Sequence, residues 1–235
     1  MSVGQLDGLL RPATLRSQVE GYLRDAIVSG RFKPGERLVE RELCAHMKIS
    51  RPSLREALRA LEAERLIKNV PHRGPVVATV TVQEARDLYA LRVLLEGFAA
   101  REFARLASDA AIEELAQRVA DLERAARSPT PEELVVAKKN FYDVLFRHCG
   151  NSLIQRTFDG EMQRISMLRA TSLARPDRLP ESLKEIGALL AAIRARDCDL
   201  AGRIAQDHVR QAECVAMEVL DTQQRSNSTE MEKTE

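Results

Sequence analysis

The stretch ISRPSLREALRAL, residues 49–61, decides the fold of the N-terminal part of this 235-residue chain. Its apolar side chains recur at i, i+3, i+4 and i+7, which is the spacing of one face of an amphipathic helix. They are Leu54, Ala57, Leu58 and Leu61. Arginines recur every four residues and form a second, cationic face. They are Arg51, Arg55 and Arg59. The pattern predicts a short helix that packs by one side and presents positive charge on another.

The start of this helix has two interpretations. Ser50 is a favourable N-cap, and Pro52 is tolerated in a first turn because its missing N–H would have no helical acceptor there. Ser53 followed by Glu56 also fits a capping box, which would place the start a few residues later. The sequence leaves both starts open.

The cationic face has the chemistry of a DNA-reading surface. Arginine can donate two hydrogen bonds to guanine in the major groove, and serine hydroxyls at a helix N-terminus suit phosphates. An ordinary surface helix with solvated arginines is the competing interpretation of this helix taken alone.

The segment upstream favours the DNA-binding interpretation. Leu43 and Met47 form an apolar i, i+4 pair on a short predicted helix, about 39–47. Lys48-Ile49 then makes a tight turn into the arginine helix. A helix, a short turn and a second helix are the helix-turn-helix arrangement.

A β-hairpin, or wing, is predicted directly after the arginine helix. Residues 66–70 and 76–80 are rich in strand formers, and the turn between them carries Arg73 beside Gly74. The turn at 33–35 is expected to start a small strand that pairs with this wing. An arginine at the tip can enter a minor groove or lie on phosphates, although a solvated turn residue would fit the same pattern.

Charge is unevenly distributed along the chain, although its formal net value is only +1. Residues 10–80 carry 14 Lys and Arg against 8 Asp and Glu, whereas residues 81–235 carry 22 against 26. A basic N-terminal part beside an acidic C-terminal part is typical of a DNA-binding domain joined to a domain that does not bind DNA.

The four cysteines exclude several classes of site. They are Cys44, Cys149, Cys198 and Cys214, and no two of them form a C-x-x-C pair. Zinc-finger and redox-motif interpretations therefore fail. No apolar stretch has membrane length and no N-terminal signal is visible, so we expect a cytoplasmic protein with reduced thiols and no membrane partner.

The rest of the chain is predicted to be helical, so the fold class is mainly α. We predict a flexible arm at 1–13, a winged helix-turn-helix domain at 14–80, an all-α antiparallel bundle at 81–222 and a disordered tail at 223–235. The six helices of the bundle are predicted at about 82–106, 109–127, 131–148, 152–174, 179–195 and 198–221.

Five short motifs occur in order along the N-terminal domain. They are AIVSG at 26–30, PGERL at 34–38, ELC at 42–44, ISRPSLREAL at 49–58 and HRG at 72–74. Together they resemble the winged helix-turn-helix of GntR-type bacterial transcription regulators. The resemblance implies that DNA is contacted by the side chains of Arg41, Arg51, Arg55 and the wing residues Arg73 and Gly74, with Ser50 and Ser53 on the DNA backbone.

Three positions depart from the family pattern. Lys48 stands where the turn usually has Gly, Arg65 stands where Gly usually follows the recognition helix, and Val39 occupies a position where a Ser or Thr cap is common. Lys48 and Arg65 are therefore positions at which φ must be checked, because a non-glycine residue at positive φ is strained. None of the three removes a predicted DNA-reading side chain.

Motifs in the helical part resemble a second family. They are DLYALR at 87–92 with LE at 95–96, Phe141 ahead of Gly150-Asn151, AIRARD at 192–197, and Ala201 before His208. These motifs resemble the FCD domain, the ligand-binding domain of the FadR subfamily of GntR regulators, in its six-helix, VanR-like form. The other branches of the family fit worse, because an aminotransferase-like partner needs several hundred more residues and a UTRA-type domain needs strands. No enzyme is therefore expected.

Most FCD domains bind a divalent metal through one Asp and three His. Counting from Gly150-Asn151 and Asp197, those four positions fall on Lys138, Tyr142, Ile186 and His208. Only His208 is a ligand of the expected kind. We therefore predict no family-type metal site and no cofactor.

A metal-free site for an anion is the remaining hypothesis for this domain. Its predicted residues are Arg92, Lys138, Tyr142, Arg164 and His208. Lysine and arginine could bind the carboxylate of a small organic acid or an acyl compound. The alternatives are that Arg92 pairs with Glu96, that Lys138 lies on a solvated face, and that His208 is structural.

The combined interpretation is a homodimeric, sequence-specific DNA-binding regulator, expected to be a repressor. Each subunit would read one half of a near-palindromic operator on double-stranded DNA, and a metabolite bound in the bundle would alter that binding. The alternative is a DNA-binding protein whose helical domain serves only dimerisation or protein interaction, with no effector.

Overall fold

A computed structural model describes residues 15–127, 130–173, 175 and 177–232. The chain divides after Thr79 into two compact units, and the sequence predicts the boundary after residue 80. The predicted flexible arm at 1–13 lies outside the described residues.

From residue 15 onward, the described part of the N-terminal unit consists of three helices followed by a two-stranded hairpin. Its helices are α1 (Leu15–Val28), α2 (Glu40–Met47) and α3 (Arg51–Ala63), and its strands are β1 (Ile67–Val70) and β2 (Gly74–Val77). The apolar face of α3 is buried as the spacing predicts, and it packs with α1 and α2. The winged helix-turn-helix architecture is therefore confirmed.

The wing differs from its prediction in detail. β1 and β2 are antiparallel, with Ile67 opposite Val77 and Val70 opposite Gly74. The second strand starts at Gly74 rather than near residue 76, because His72 and Gly74 both take positive φ and close the turn early. The small strand expected after the turn at 33–35 is reduced to one isolated bridge, between Arg37 and Val76.

Lys48 and Arg65, which replace glycines of the family pattern, both take positive φ. Lys48 has φ of 53° and ends α2, and its backbone N–H donates to the carbonyl oxygen of Cys44. Arg65 has φ of 58° in the connection from α3 to β1. A non-glycine residue is strained in this region, so each tight connection is formed at some cost in stability. Val39, the residue before α2, makes no capping hydrogen bond to the helix, because its side chain is apolar.

In its described residues the C-terminal unit has six helices and no strand, which confirms the predicted all-α class. The helices are α4 (Val82–Leu106), α5 (Asp109–Arg127), α6 (Pro131–Arg147), α7 (Ser152–Leu173), α8 (Arg178–Arg194) and α9 (Cys198–Glu232). Helix α4 packs along α9, and Gly97 and Gly202 lie at their contact. Helices α5 to α8 complete the core, and side chains of α4, α6, α8 and α9 meet inside the bundle.

The last helix corrects the predicted end of the bundle. Helix α9 continues to Glu232, past the predicted end near residue 221 and through most of the tail predicted to be disordered at 223–235. Extending an existing helix adds one hydrogen bond for each residue fixed, so a polar segment can continue a helix without a core to pack on.

Candidate DNA-binding surface and effector site

The structure shows which of the two candidate serines, Ser50 or Ser53, is the N-cap of α3. Ser50 has extended backbone angles, and its Oγ accepts from the backbone N–H of Ser53 at 3.4 Å. The two hydroxyl oxygens lie 2.9 Å apart. Helix α3 therefore begins at Arg51 with Ser50 as its N-cap, and both serines sit at the positive end of the helix dipole.

The predicted DNA-reading arginines are exposed. Arg41 lies in the first turn of α2, and Arg51 and Arg55 lie on the outer face of α3. The guanidinium of Arg55 contacts the carboxylate of Glu40, with an Nη2–Oε2 distance of 3.1 Å. This contact brings the N-terminus of α2 and the cationic face of α3 to one surface.

The wing lies beside this surface. A groove of about 270 Å³ is lined by Arg55 and Arg59 of α3 and by Asn69 and Pro75 of the wing. Arg73 is exposed near the turn, and its Nη2 donates to the carbonyl oxygen of Gly35 at 3.4 Å. Gly74 has φ of 81° and nothing within 4 Å of a Cβ built on it, so it leaves open space next to Arg73.

Within the bundle, Lys138 is a buried cation. Its side chain lies between α6 and α8 with 6% of the residue exposed, and its Nζ donates to Ser182 Oγ at 3.0 Å. The alternative that Lys138 belongs to a solvated face is therefore wrong. That description fits its neighbour Lys139, which is half exposed and pairs with Asp143 on the outside of α6.

Arg92 is a second buried cation, and the predicted pairing with Glu96 is present. Arg92 Nε donates to Glu96 Oε1 at 2.8 Å, and the two side chains are 1% and 2% exposed. Burial alone would lower the pKa of Arg92, but the combined effects of Glu96, Tyr142 and Tyr89 outweigh burial and raise it. The guanidinium lies 5.0 Å from the ring centroid of Tyr89. Its Nη1 is buried and has no hydrogen-bond partner among the described residues.

His208 lies in a third group of contacts, between α8 and α9. Its Nδ1 contacts the carboxylate of Glu185, which also accepts two hydrogen bonds from Arg178, at 2.9 and 2.7 Å. Burial lowers the pKa of His208 to about 4, and the positive charge of Lys138 acts in the same direction. His208 is therefore neutral at neutral pH and donates its Nδ1–H to Glu185.

Tyr142 and Arg164, the other two residues predicted for the effector site, lie in different environments. Tyr142 is buried against Phe146 and Phe158, at ring-centroid distances of 6.3 and 5.8 Å, and it contributes to the electrostatic environment of Arg92. Arg164 instead pairs with Glu84 on α4 and with Glu161 on its own helix. The structure therefore brings Arg92, Lys138, Tyr142 and His208 into the bundle interior but gives Arg164 other partners.

The residues at the four family metal positions do not fit a divalent ion. Lys138 would repel a cation, and Ile186, which is buried, has no donor atom. Among the described residues, no group of three or more His, Cys, Asp and Glu is arranged to hold a metal.

Several ionisable side chains lie close together inside the bundle. Arg92, Lys138 and Arg178 are cations, Glu96 and Glu185 are carboxylates, and His208 is neutral. We call these residues, together with Ser182, the buried charge cluster. A buried charge is costly unless it is paired, so the contacts within the cluster matter for stability.

Several members of the cluster were not predicted from the sequence. Ser182, Arg178 and Glu185 all lie on α8, and each contacts a predicted residue on α6 or α9. The i, i+7 spacing of Arg178 and Glu185 places them two turns apart on one helical face, which is the only signal the sequence offers for this pair.

The stability of the helical unit is expected to fall as the pH is lowered from 6.5 towards 4. In this window the unfolded chain protonates His208 while the folded protein does not, so protons favour unfolding. The pKa of Glu185 is also held below its ordinary value, by His208 and Arg178 against the effect of burial, and this extends the loss below pH 4.5. Urea unfolding at stepped pH measures the profile.

The variant His208→Gln tests the first part of that profile. It should flatten the pH dependence of the unfolding free energy between pH 6.5 and 4. His148→Gln, at a partly exposed histidine of the same unit, should leave that dependence unchanged. Parallel pH profiles for the wild type and His208→Gln would contradict the assignment.

Comparison with known proteins places both units in one family. Residues 15–77 match the bacterial regulatory proteins of the gntR family, and residues 87–211 match the FCD domain. In the described part of the chain, no helix is both long and apolar enough to cross a membrane.

Individual relatives agree with these matches. The chain is 30% identical over 210 residues to the HTH-type transcriptional regulator BphR of Paraburkholderia xenovorans, with 84% of each chain covered. It is 28% identical over 204 residues to the HTH-type transcriptional repressor GlaR of Escherichia coli, covering 82% of this chain and 92% of GlaR.

A solved structure supports the fold. A GntR transcriptional regulator from Rhodococcus sp. RHA1 superposes with a TM-score of 0.74 at 22% identity, covering 86% of this chain and 97% of that one. The chain therefore belongs to the GntR family of bacterial transcriptional regulators, in the FadR-like subfamily that carries a C-terminal FCD domain.

Proposed function

We propose that this regulator acts in the cytoplasm as a homodimeric repressor that binds a near-palindromic operator. Helix α3 would enter the major groove, where Arg51 and Arg55 would read bases and Ser50 and Ser53 would contact phosphates. Arg41 on α2 and Arg73-Gly74 on the wing would complete the contact. The exposure of all four arginines supports this assignment.

The effector that we propose is a small organic acid or acyl compound, bound without a metal. The observation that carries this proposal is Lys138, a buried cation at a position where the family places a metal ligand. A carboxylate could accept hydrogen bonds from Lys138 Nζ and Arg92 Nη1.

The effector site predicts that Lys138→Met loses the response to the effector. In a thermal-shift screen with chelator present, a monocarboxylate at a hundred times its Kd should stabilise the wild type by about 2.7 kcal/mol. Removing the cation should weaken binding at least about tenfold, because a charge-assisted hydrogen bond is lost. Titration of the unfolding midpoint with the acid measures the change.

The matched control is Lys139→Met, because Lys139 is adjacent on α6 but points to the outside. It should retain the response. Stabilisation by zinc that chelator removes would show that a metal site exists elsewhere. No response to any anion would favour the second candidate, a regulator whose helical domain only dimerises or binds protein.

A further inference from the structure

We propose that Glu40 is a positioning residue for DNA recognition, which holds the guanidinium of Arg55 so that its terminal edge faces the bases. This inference rests on the proposed role of α3 in reading the operator. It assigns a function to an acidic residue on a surface whose other proposed contacts are cationic or small.

The geometry of the pair decides which edge of Arg55 remains available. Arg55 Nε lies 3.2 Å from both carboxylate oxygens of Glu40, and Nη2 lies 3.1 Å from Oε2. Glu40 therefore occupies the side edge of the guanidinium, formed by Nε and the inner N–H of Nη2. The terminal edge, formed by Nη1 and the outer N–H of Nη2, is left to donate two hydrogen bonds to guanine O6 and N7.

The carboxylate is itself well placed. Glu40 is the first residue of α2, where the helix dipole favours negative charge, and its side chain is 27% exposed against 60% for Arg55. The ion pair also raises the pKa of Arg55, chiefly through the hydrogen bond that Arg55 donates to Glu40. The better-shielded partner thus acts as the fixed support, and the long arginine loses part of its rotamer freedom before DNA arrives.

The next arginine on α3 provides a contrast. Arg59 donates from Nη1 to Glu56, one turn back on the same helix, at 2.7 Å. That contact engages Nη1, one of the two nitrogens of the terminal edge, and it ties Arg59 to α3 itself rather than to α2. Of these two ion pairs, only that of Arg55 leaves the base-reading edge open and joins the two helices of the helix-turn-helix.

The negative charge of Glu40 makes it possible to distinguish a positioning role from simple electrostatic attraction to DNA. A carboxylate near the phosphates repels DNA of any sequence, so removing it should not weaken nonspecific binding. If Glu40 orients Arg55, removing it weakens operator binding alone. The ratio of specific to nonspecific affinity is therefore the quantity that reveals its role.

The experiment starts from the operator that the full-length wild-type chain selects from a pool of random duplexes. Fluorescence anisotropy at one fixed salt concentration then gives Kd for that operator and for an unrelated duplex. The variants are Glu40→Gln, Glu40→Asp, Arg55→Ala and Glu40→Gln with Arg55→Ala. Glu56→Gln is the matched control, because it removes the carboxylate that pairs with Arg59.

We expect Glu40→Gln to lower the specificity ratio about tenfold while nonspecific affinity stays equal or rises. Glu40→Asp, which keeps the charge but shortens the reach, should lower the ratio as well, and Glu56→Gln should not. In the Arg55→Ala background, Glu40→Gln should have no further effect on the ratio.

Two results would overturn the inference. One is an unchanged ratio in Glu40→Gln, and the other is an equal loss with and without Arg55. Failure of the proposed function has a different signature, because the wild type would then enrich no sequence or Arg55→Ala would bind the operator like the wild type.

Discussion

Replacing Arg51 and Arg55 together by alanine is expected to remove nearly all preference for the operator over unrelated DNA. Both side chains are exposed on α3, one turn apart, and a bidentate contact to a base contributes about 1–3 kcal/mol of discrimination. The pair together should therefore cost about 2–6 kcal/mol, less any coupling between neighbours on the helix. Anisotropy titrations of operator and nonspecific duplex measure both affinities.

Arg59→Ala is the matched control for this double variant. It removes the same charge from the same helical face one turn further on, and Arg59 is engaged with Glu56. It should reduce both affinities slightly and leave their ratio intact. Operator affinity that is unchanged in Arg51→Ala with Arg55→Ala would show that α3 is not the recognition helix.

The N-terminal fold could be predicted because its determinants are local. The apolar period of α3, the cap at Ser50 and the strand-forming segments of the wing act over a few residues, and all three appear in the structure. The family pattern has glycine at the positions of Lys48 and Arg65, which identified them as backbone positions to check, and both have positive φ. The choice between Ser50 and Ser53 as cap needed the backbone angles of the folded chain.

The buried charge cluster was only half predictable, because its contacts cross between helices. Counting along the chain located Lys138 and His208, but spacing does not show which face of α8 meets them. Ser182 and Glu185 were therefore not predicted from the sequence. The i, i+4 pair of Arg92 and Glu96 was visible as a local alternative, and the structure shows that it coexists with burial in the bundle.

The length of α9 shows that amino-acid composition alone does not predict where a helix ends. The polar residues after 222 lack an apolar period, and such segments are typical of disorder. A helix that is already formed can nevertheless extend through them, because the costly nucleation step is complete. Composition shows how much apolar surface a segment can bury. It does not show whether the segment continues a helix that is already packed.

Arg92→Leu is expected to destabilise the helical unit by about 3–5 kcal/mol. Arg92 and Glu96 are almost fully buried and hydrogen-bonded to each other, so leucine would leave the carboxylate of Glu96 without its cation in an apolar core. For a chain of this size each kcal/mol lowers the Tm by about 2–4 °C, so a large shift should be visible in thermal unfolding at fixed protein concentration.

The double variant Arg92→Leu with Glu96→Leu separates charge from packing. It removes both charges together, and replacement of a buried ion pair by apolar residues is often neutral for stability, so most of the lost stability should return. The effector response should remain lost, because Arg92 Nη1 is one of the two proposed donors to the anion. Recovery of stability without recovery of the response would mean that the cation at residue 92 serves the ligand. If the double variant were as unstable as Arg92→Leu, the shape of the guanidinium against Tyr89, rather than its charge, would be what the core requires.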